Sequence, residues 1–402
     1  MKTLIQPVVA QPAQATTDSG HGWPVLRLGF RPFYLGATVF AFLAIPLWIF
    51  MFLGRTQWAP VVPPQLWHAH EMLFGFAAAV IIGFLMTGVK AWTGLQTPRG
   101  AALGWLVVIW LAARIAATFA PYAVYAVLDL LLLPAVAIIL ARLLLQAGNR
   151  RNLPLISLLG LLTLANLVFH LRMLGYIEID PVRPLYAALA LIVLIECVMG
   201  GRVIPAFTMN AIAGLRIKPD PRLEKATALA SVIALLLWVF MPGGPLGASM
   251  LALAAVLQLL RLLSWKPWRT RGTPILWVLH LAYAWIPVGF LLLAMSLMHW
   301  IPPSAGIHAL AVGATGGLII GMVTRTARGH TGRPLKASPV EVAAYSLVFL
   351  AAVLRVLVPL IAPQYLVMAV MGAGTAWSLA FALYLGRYTP WLMRVRLDGK
   401  DG

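Results

Sequence analysis

Five of the eight histidines, His68, His70, His170, His280 and His308, lie inside long apolar stretches. An ionisable side chain in such a setting is costly and is retained where it has a task. Imidazole is the commonest metal ligand and a standard axial ligand of haem iron. Three carboxylates share the same kind of setting: Glu71, Asp129 and Glu196. So do two arginines, Arg114 and Arg355, whose planar, always-charged guanidinium forks onto carboxylates. The pair could neutralise the propionates of a haem, or Arg114 could pair with Asp129. His68 and His70 are two residues apart, about 200° round a helix. They therefore serve different partners, unless the helix only begins there. The single cysteine, Cys197, excludes an internal disulfide, an iron–sulfur cluster and a covalently attached Cys-x-x-Cys-His haem. Any haem must be held by side-chain ligands alone.

These residues need elements that hold them at depth in a bilayer. The chain has 402 residues, 61% hydrophobic and only 10% charged, and a mean hydropathy of +0.90. A soluble domain carries about 25% charged residues. Apolar runs of spanning length fall at 33–53, 66–89, 101–119, 122–146, 153–175, 184–201, 226–241, 246–264, 275–298, 304–325, 339–361 and 365–386. They lack the period-2 alternation of barrel strands. The expected fold is all-α: a polytopic membrane domain of about twelve helices over 27–390. Polar tails flank it at 1–26, which has no apolar signal-peptide core, and at 391–402.

The net charge of +19 is a matter of topology and does not point to nucleic acid. Of 30 basic residues, 25 fall in the termini and the even-numbered connections, while Arg55, Arg172 and Arg183 fall on the other side. This positive-inside pattern puts both termini in the cytoplasm of a bacterial inner membrane, with a lesser role for basic residues against anionic lipid. His68, His70, Glu71, Arg114, Asp129, His170, His308 and Arg355 then lie near the outer face, and Glu196 and His280 near the inner face.

The sequence also matches itself. At an offset of 238, His70 meets His308, Gly75 meets Gly313, Ile81-Ile82-Gly83 meets Ile319-Ile320-Gly321, and Thr93-Gly94 meets Thr331-Gly332. At slightly larger offsets Arg114 meets Arg355. Both matched spans run from outside to inside, so the repeat is parallel. A unit of four helices would give three units. His70 and His308 are thereby expected to ligate haem, as a pair or each on its own, with His68 and His170 as the next pair. Gly75 and Gly313 would allow a helix or porphyrin to approach. His280, among Trp277, Tyr283 and Trp285, is expected at an aromatic wall. Gly200 to Thr208 and Gly329 to Leu335 read as tight turns.

Gly29-Phe30-Arg31-Pro32-Phe33, Trp67 to Gly75, Gly201 to Thr208, Trp277 to Trp285 and Gly329 to Leu335, in that order, resemble the NnrS family. That resemblance implies a haem- and copper-associated membrane protein of nitric oxide metabolism and resistance. A more distant layout resemblance is to the catalytic subunit of haem–copper oxidases, in which the segment His70 to Phe74 is similar to a helix-2 ligand segment. The departures weigh against copper. Span 10 carries one histidine, and spans 6 and 7 carry none, where the oxidases build their copper site. The expectation is therefore one or two haems b, with metal ligands among His68, His70, His170 and His308. Nitric oxide would be ligand or substrate, a quinol or cytochrome the electron donor, and Glu71, Asp129 and Glu196 proton carriers. A transporter or metal-handling protein, and a haem-based sensor without turnover, are the competing readings.

Overall fold

The structure is a computed structural model that describes residues 22–56 and 62–400. Most of the N-terminal tail, His21 included, lies outside the described residues. Twelve helices are long and apolar enough to cross a membrane: α1 (Phe30–Phe52), α2 (Pro64–Thr93), α3 (Ala101–Phe119), α4 (Tyr122–Gln146), α5 (Arg150–Met173), α6 (Val182–Ala211), α7 (Pro221–Phe240), α8 (Pro245–Ser264), α9 (Pro274–Leu297), α10 (Pro303–His330), α11 (Pro339–Ile361) and α12 (Pro363–Leu392). The all-α polytopic membrane architecture is as the composition requires. Without water to satisfy backbone groups, a spanning segment that is not part of a barrel must be a helix.

Successive helices pack on one another, and α12 returns to pack on α1, so the chain of helix contacts closes into a circle. Inside it stand α2 and α10, whose apolar windows are 78% and 72% buried, against 39% for α1, α3, α4, α5, α7 and α11. α6, which touches both α2 and α10, is 56% buried, and α9, which packs on α10, is 61% buried. Many large side chains on the outer helices, such as Leu111, Ile115 and Leu236, face outward to lipid.

The α2 and α10 pair carries a second sign of the repeat. Each breaks its α-helical ladder with a π-helical segment, Glu71–Ala77 in α2 and Ala309–Gly316 in α10. The two begin 238 residues apart, the offset of the sequence match. Wide π turns are rare and gather at functional sites. They also disturb the ladder of carbonyls, and the indole N–H of Trp110 on α3 donates to the Gly75 carbonyl at 2.9 Å.

Three sequence expectations meet the structure differently. Gly200 to Thr208 forms no turn: α6 runs on to Ala211 with Pro205 inside it. Gly329 to Leu335 does hold a turn, with Gly332 at φ +74° just past the end of α10. Gly75 and Gly313 are sites of close approach, but what approaches is a neighbour's side chain. A Cβ on Gly75 would meet Arg114 Nη1 at 2.8 Å, and one on Gly313 would overlap the Trp285 ring.

The start of α1 and the end of α12 meet on one face. Arg31, fully buried at the start of α1, donates through Nη1 to the carbonyls of Leu392 and Arg394, each at 2.8 Å. Phe30 beside it packs on His330 at the end of α10.

Candidate functional site

The candidate residues divide into two groups, both toward the face opposite the termini. The first lies among α2, α3, α4 and α5. Arg114 donates from Nη1 to Glu71 Oε2 at 2.7 Å, and its Nη2 pairs with Asp129. Tyr125 donates to Glu71 Oε1 at 2.8 Å and lies 2.7 Å from His70 Nδ1. The other His70 nitrogen is 2.8 Å from Asn166 Oδ1, and Asn166 donates to Asp129 Oδ2 at 2.6 Å. His170 joins through Nε2 to Asp129 at 3.2 Å and through Nδ1 to Tyr122 at 2.7 Å. Every charged member is nearly fully buried.

His70, Asp129 and His170 each bring a ligand atom within 4.8 Å of the others, a separation at which three groups can share a metal ion. The neighbours argue against it. The Arg114 guanidinium already lies on both carboxylates, and all four imidazole nitrogens have hydrogen-bond partners. A cation entering here would face a fixed positive charge and displace a satisfied network. The set does not fit copper as it stands. Glu71 and Asp129, expected as proton carriers, are both anchored on Arg114, and of the two roles expected for Arg114 the structure shows the pairing with Asp129.

The second group lies where α1, α2, α6, α10, α11 and α12 surround a cavity of about 450 Å³. His68 and His308 both line it, as does Arg355. His308 Nδ1 is 2.7 Å from the Ser304 carbonyl, one turn back on α10. A carbonyl only accepts, so Nδ1 carries the hydrogen and Nε2 keeps its lone pair. This arrangement orients metal-bound histidines. His68 stacks on Trp48, ring centroids 4.2 Å apart, and has no hydrogen bond among the described residues. Arg355 likewise has neither hydrogen bond nor ion pair among them. It differs in this from Arg114, its counterpart in the repeat. A half-buried guanidinium beside an apolar cavity wants an anion.

The remaining walls are mostly apolar, with Met72, Leu185, Leu189, Ile307 and Val312 among them. The volume falls within the range of cavities that hold cofactors. The cavity, the imidazole with one nitrogen fixed and the uncompensated arginine fit a haem with its propionates.

Below it, toward the termini face, lies a smaller cavity of about 90 Å³, which includes Tyr34 and Glu196 in its lining. Ala77 and Thr315, themselves 238 residues apart, line both spaces. Glu196 Oε2 is buried there without a hydrogen-bond partner.

His70 is thus not brought to His308. The central cavity pairs His308 with His68, and His70 belongs with His170. His280 lines neither space. Its Nε2 meets Thr208 Oγ1 at 2.9 Å, and its nearest ring among those around it is Trp265. No aromatic wall forms, because Trp277 turns to Tyr345 and Phe349 while Trp285 lies on Gly313. Asn166, Tyr122, Tyr125, Trp48 and Thr315 were not singled out by the sequence. Tyr122 and Tyr125, on the same helix as Asp129 and within two turns of it, offered the one available signal.

No curated protein and no solved structure matches the chain. A family model described as NnrS protein matches residues 24–396, nearly the whole chain. Within that stretch the matched motifs meet in space: Thr208 on His280, and Phe30 on His330. This twelve-helix membrane protein therefore belongs to the NnrS family, a membership that fits association with nitric oxide.

Proposed function

We propose that the protein is a haem b protein of the bacterial cytoplasmic membrane that binds nitric oxide and reduces it to nitrous oxide, with both termini in the cytoplasm. The observation that carries this reading is the central cavity, where His68 and His308 face a common space beside Arg355, which has no ion pair among the described residues. His308 would hold the haem iron through Nε2, Arg355 would hold the carboxylate groups, and His68 lines the same space.

Haem bound there supplies the iron that takes nitric oxide and accepts electrons. The balance is two nitric oxide, two electrons and two protons to nitrous oxide and water, with electrons from a quinol or a cytochrome. The chain's own residues do the rest. Apolar side chains from α2, α6 and α10 keep water out. Nitric oxide is small, neutral and lipid-soluble, so no aqueous channel is needed. Protons must cross the bilayer's apolar interior, where only side chains can hold them. Glu196 Oε2 faces the lower cavity, and Thr315 stands between that cavity and the upper one.

The purified protein should show a Soret band, sharp α and β bands on reduction, and a spectral shift with nitric oxide. Supplied with reductant, it should release nitrous oxide. A colourless protein that cannot be loaded with haem would overturn the reading, and a spectral shift without nitrous oxide would reduce it to a sensor. Glu196→Gln is expected to keep haem content and nitric oxide binding while slowing turnover at least about tenfold, the usual contribution of a proton-transfer group being 10²–10⁴. Unchanged turnover would exclude Glu196 as the proton carrier.

A further inference from the structure

A third cavity, of about 580 Å³, lies among α5, α6, α7 and α8 at the termini face, remote from the haem proposal. Its charges do not balance. It is lined by Arg151, Arg202, Arg261 and Glu224. Glu224 is fully engaged by Arg261, Nε to Oε1 at 2.9 Å and Nη2 to Oε2 at 2.5 Å. Arg261 also donates to the Cys197 carbonyl and to Tyr283 Oη. Gly201 makes room for it, since a Cβ there would overlap the guanidinium. Arg151 and Arg202 remain. Arg202 donates to Asn152 Oδ1 at 2.7 Å, a neutral partner, and Arg151 has no hydrogen bond or ion pair among the described residues. Two like charges share one cavity with no counter-charge.

The depth of the cavity says what kind of anion fits. Arg151 begins α5 and Arg202 is near the end of α6, so both stand at the interface. Leu158 and Leu194, which line the same cavity, are seven and eight residues further into the membrane along those helices, roughly 10–12 Å at the helical rise. The space is positive at its mouth and apolar below. α5 and α7 each pack on α6 but not face to face on one another, so the space between them is not closed by helix packing. This shape and polarity suit an amphiphile. Basic pockets between spanning helices on the positively charged side bind anionic lipid headgroups.

We propose that this cavity binds one anionic phospholipid, with its phosphate on Arg151 and Arg202 and an acyl chain against Leu158 and Leu194. A free phosphate offers the same headgroup chemistry but leaves the apolar depth unused. The inference does not depend on haem or on nitric oxide.

The test is native mass spectrometry of the full chain in mild detergent, titrated separately with phosphatidylglycerol, phosphatidylethanolamine and inorganic phosphate. The expected result is one retained phosphatidylglycerol, bound at least about tenfold tighter than phosphatidylethanolamine, and loss of that preference in Arg151→Gln/Arg202→Gln. Arg151→Lys/Arg202→Lys should restore part of it, and an unchanged thermal midpoint would show that the glutamine variant is folded. Equal binding of both lipids, retention of the preference in the folded glutamine variant, or displacement of the lipid by millimolar phosphate would overturn the proposal.

Discussion

His308→Ala is expected to lower haem per polypeptide at least about tenfold, since even a group that only orients a metal ligand is worth 10–100-fold in affinity. Haem per polypeptide, measured by pyridine haemochrome against protein concentration, is the readout. His68→Ala should keep most of the haem and alter the spectrum with nitric oxide, because His68 shares the cavity but has no hydrogen bond fixing its tautomer. His70→Ala is the discriminating variant. The sequence repeat makes it the equal of His308, whereas the structure puts both its nitrogens in hydrogen bonds away from the cavity. It should therefore retain haem in whatever fraction folds. Haem loss from folded His70→Ala with full retention in His308→Ala would reverse the assignment.

Arg114→Met should destabilise the fold by about 3–5 kcal/mol, because it leaves two buried carboxylates without their counter-ion. The check is the temperature at which half the purified protein loses its monodisperse elution. Adding Glu71→Gln and Asp129→Asn to Arg114→Met should recover much of the loss, since a neutral hydrogen-bonded set no longer buries uncompensated charge. Arg355→Met should behave differently. Arg355 balances no carboxylate, so stability should change little and haem retention should fall. If Arg114→Met were as stable as the parent, the knot would hold nothing together.

Much of this architecture was legible in the chain, for a physical reason. Twenty apolar residues in a row have one stable form in lipid, so span number and order follow from hydropathy. Helix ends were less legible: α6 runs to Ala211 and α12 to Leu392, past the apolar runs read at 184–201 and 365–386. The site was legible in residue type and depth but not in direction. His68 and His70 were recognisably on different sides of one helix. Nothing in the sequence said which side faces the centre of the ring, and neither π segment has a sequence signature by which to correct the helix phase. Partners such as Asn166 and Tyr125 could not be chosen in advance, because their roles arise only when α4 and α5 lie beside α2.

The contact between Arg31 and the carbonyls of Leu392 and Arg394 has a consequence for the order in which the molecule is made. Membrane helices leave the ribosome one after another, and Arg31 is among the first residues of the bundle to emerge. Its acceptors are among the last. Until they arrive, these two hydrogen bonds cannot form, and the circle of helices has a seam. The seam falls between the first and the last of the spanning helices, so the circle closes only when α12 is in place. A bundle that lost the end of α12 would keep its other spanning helices and still lack this clasp.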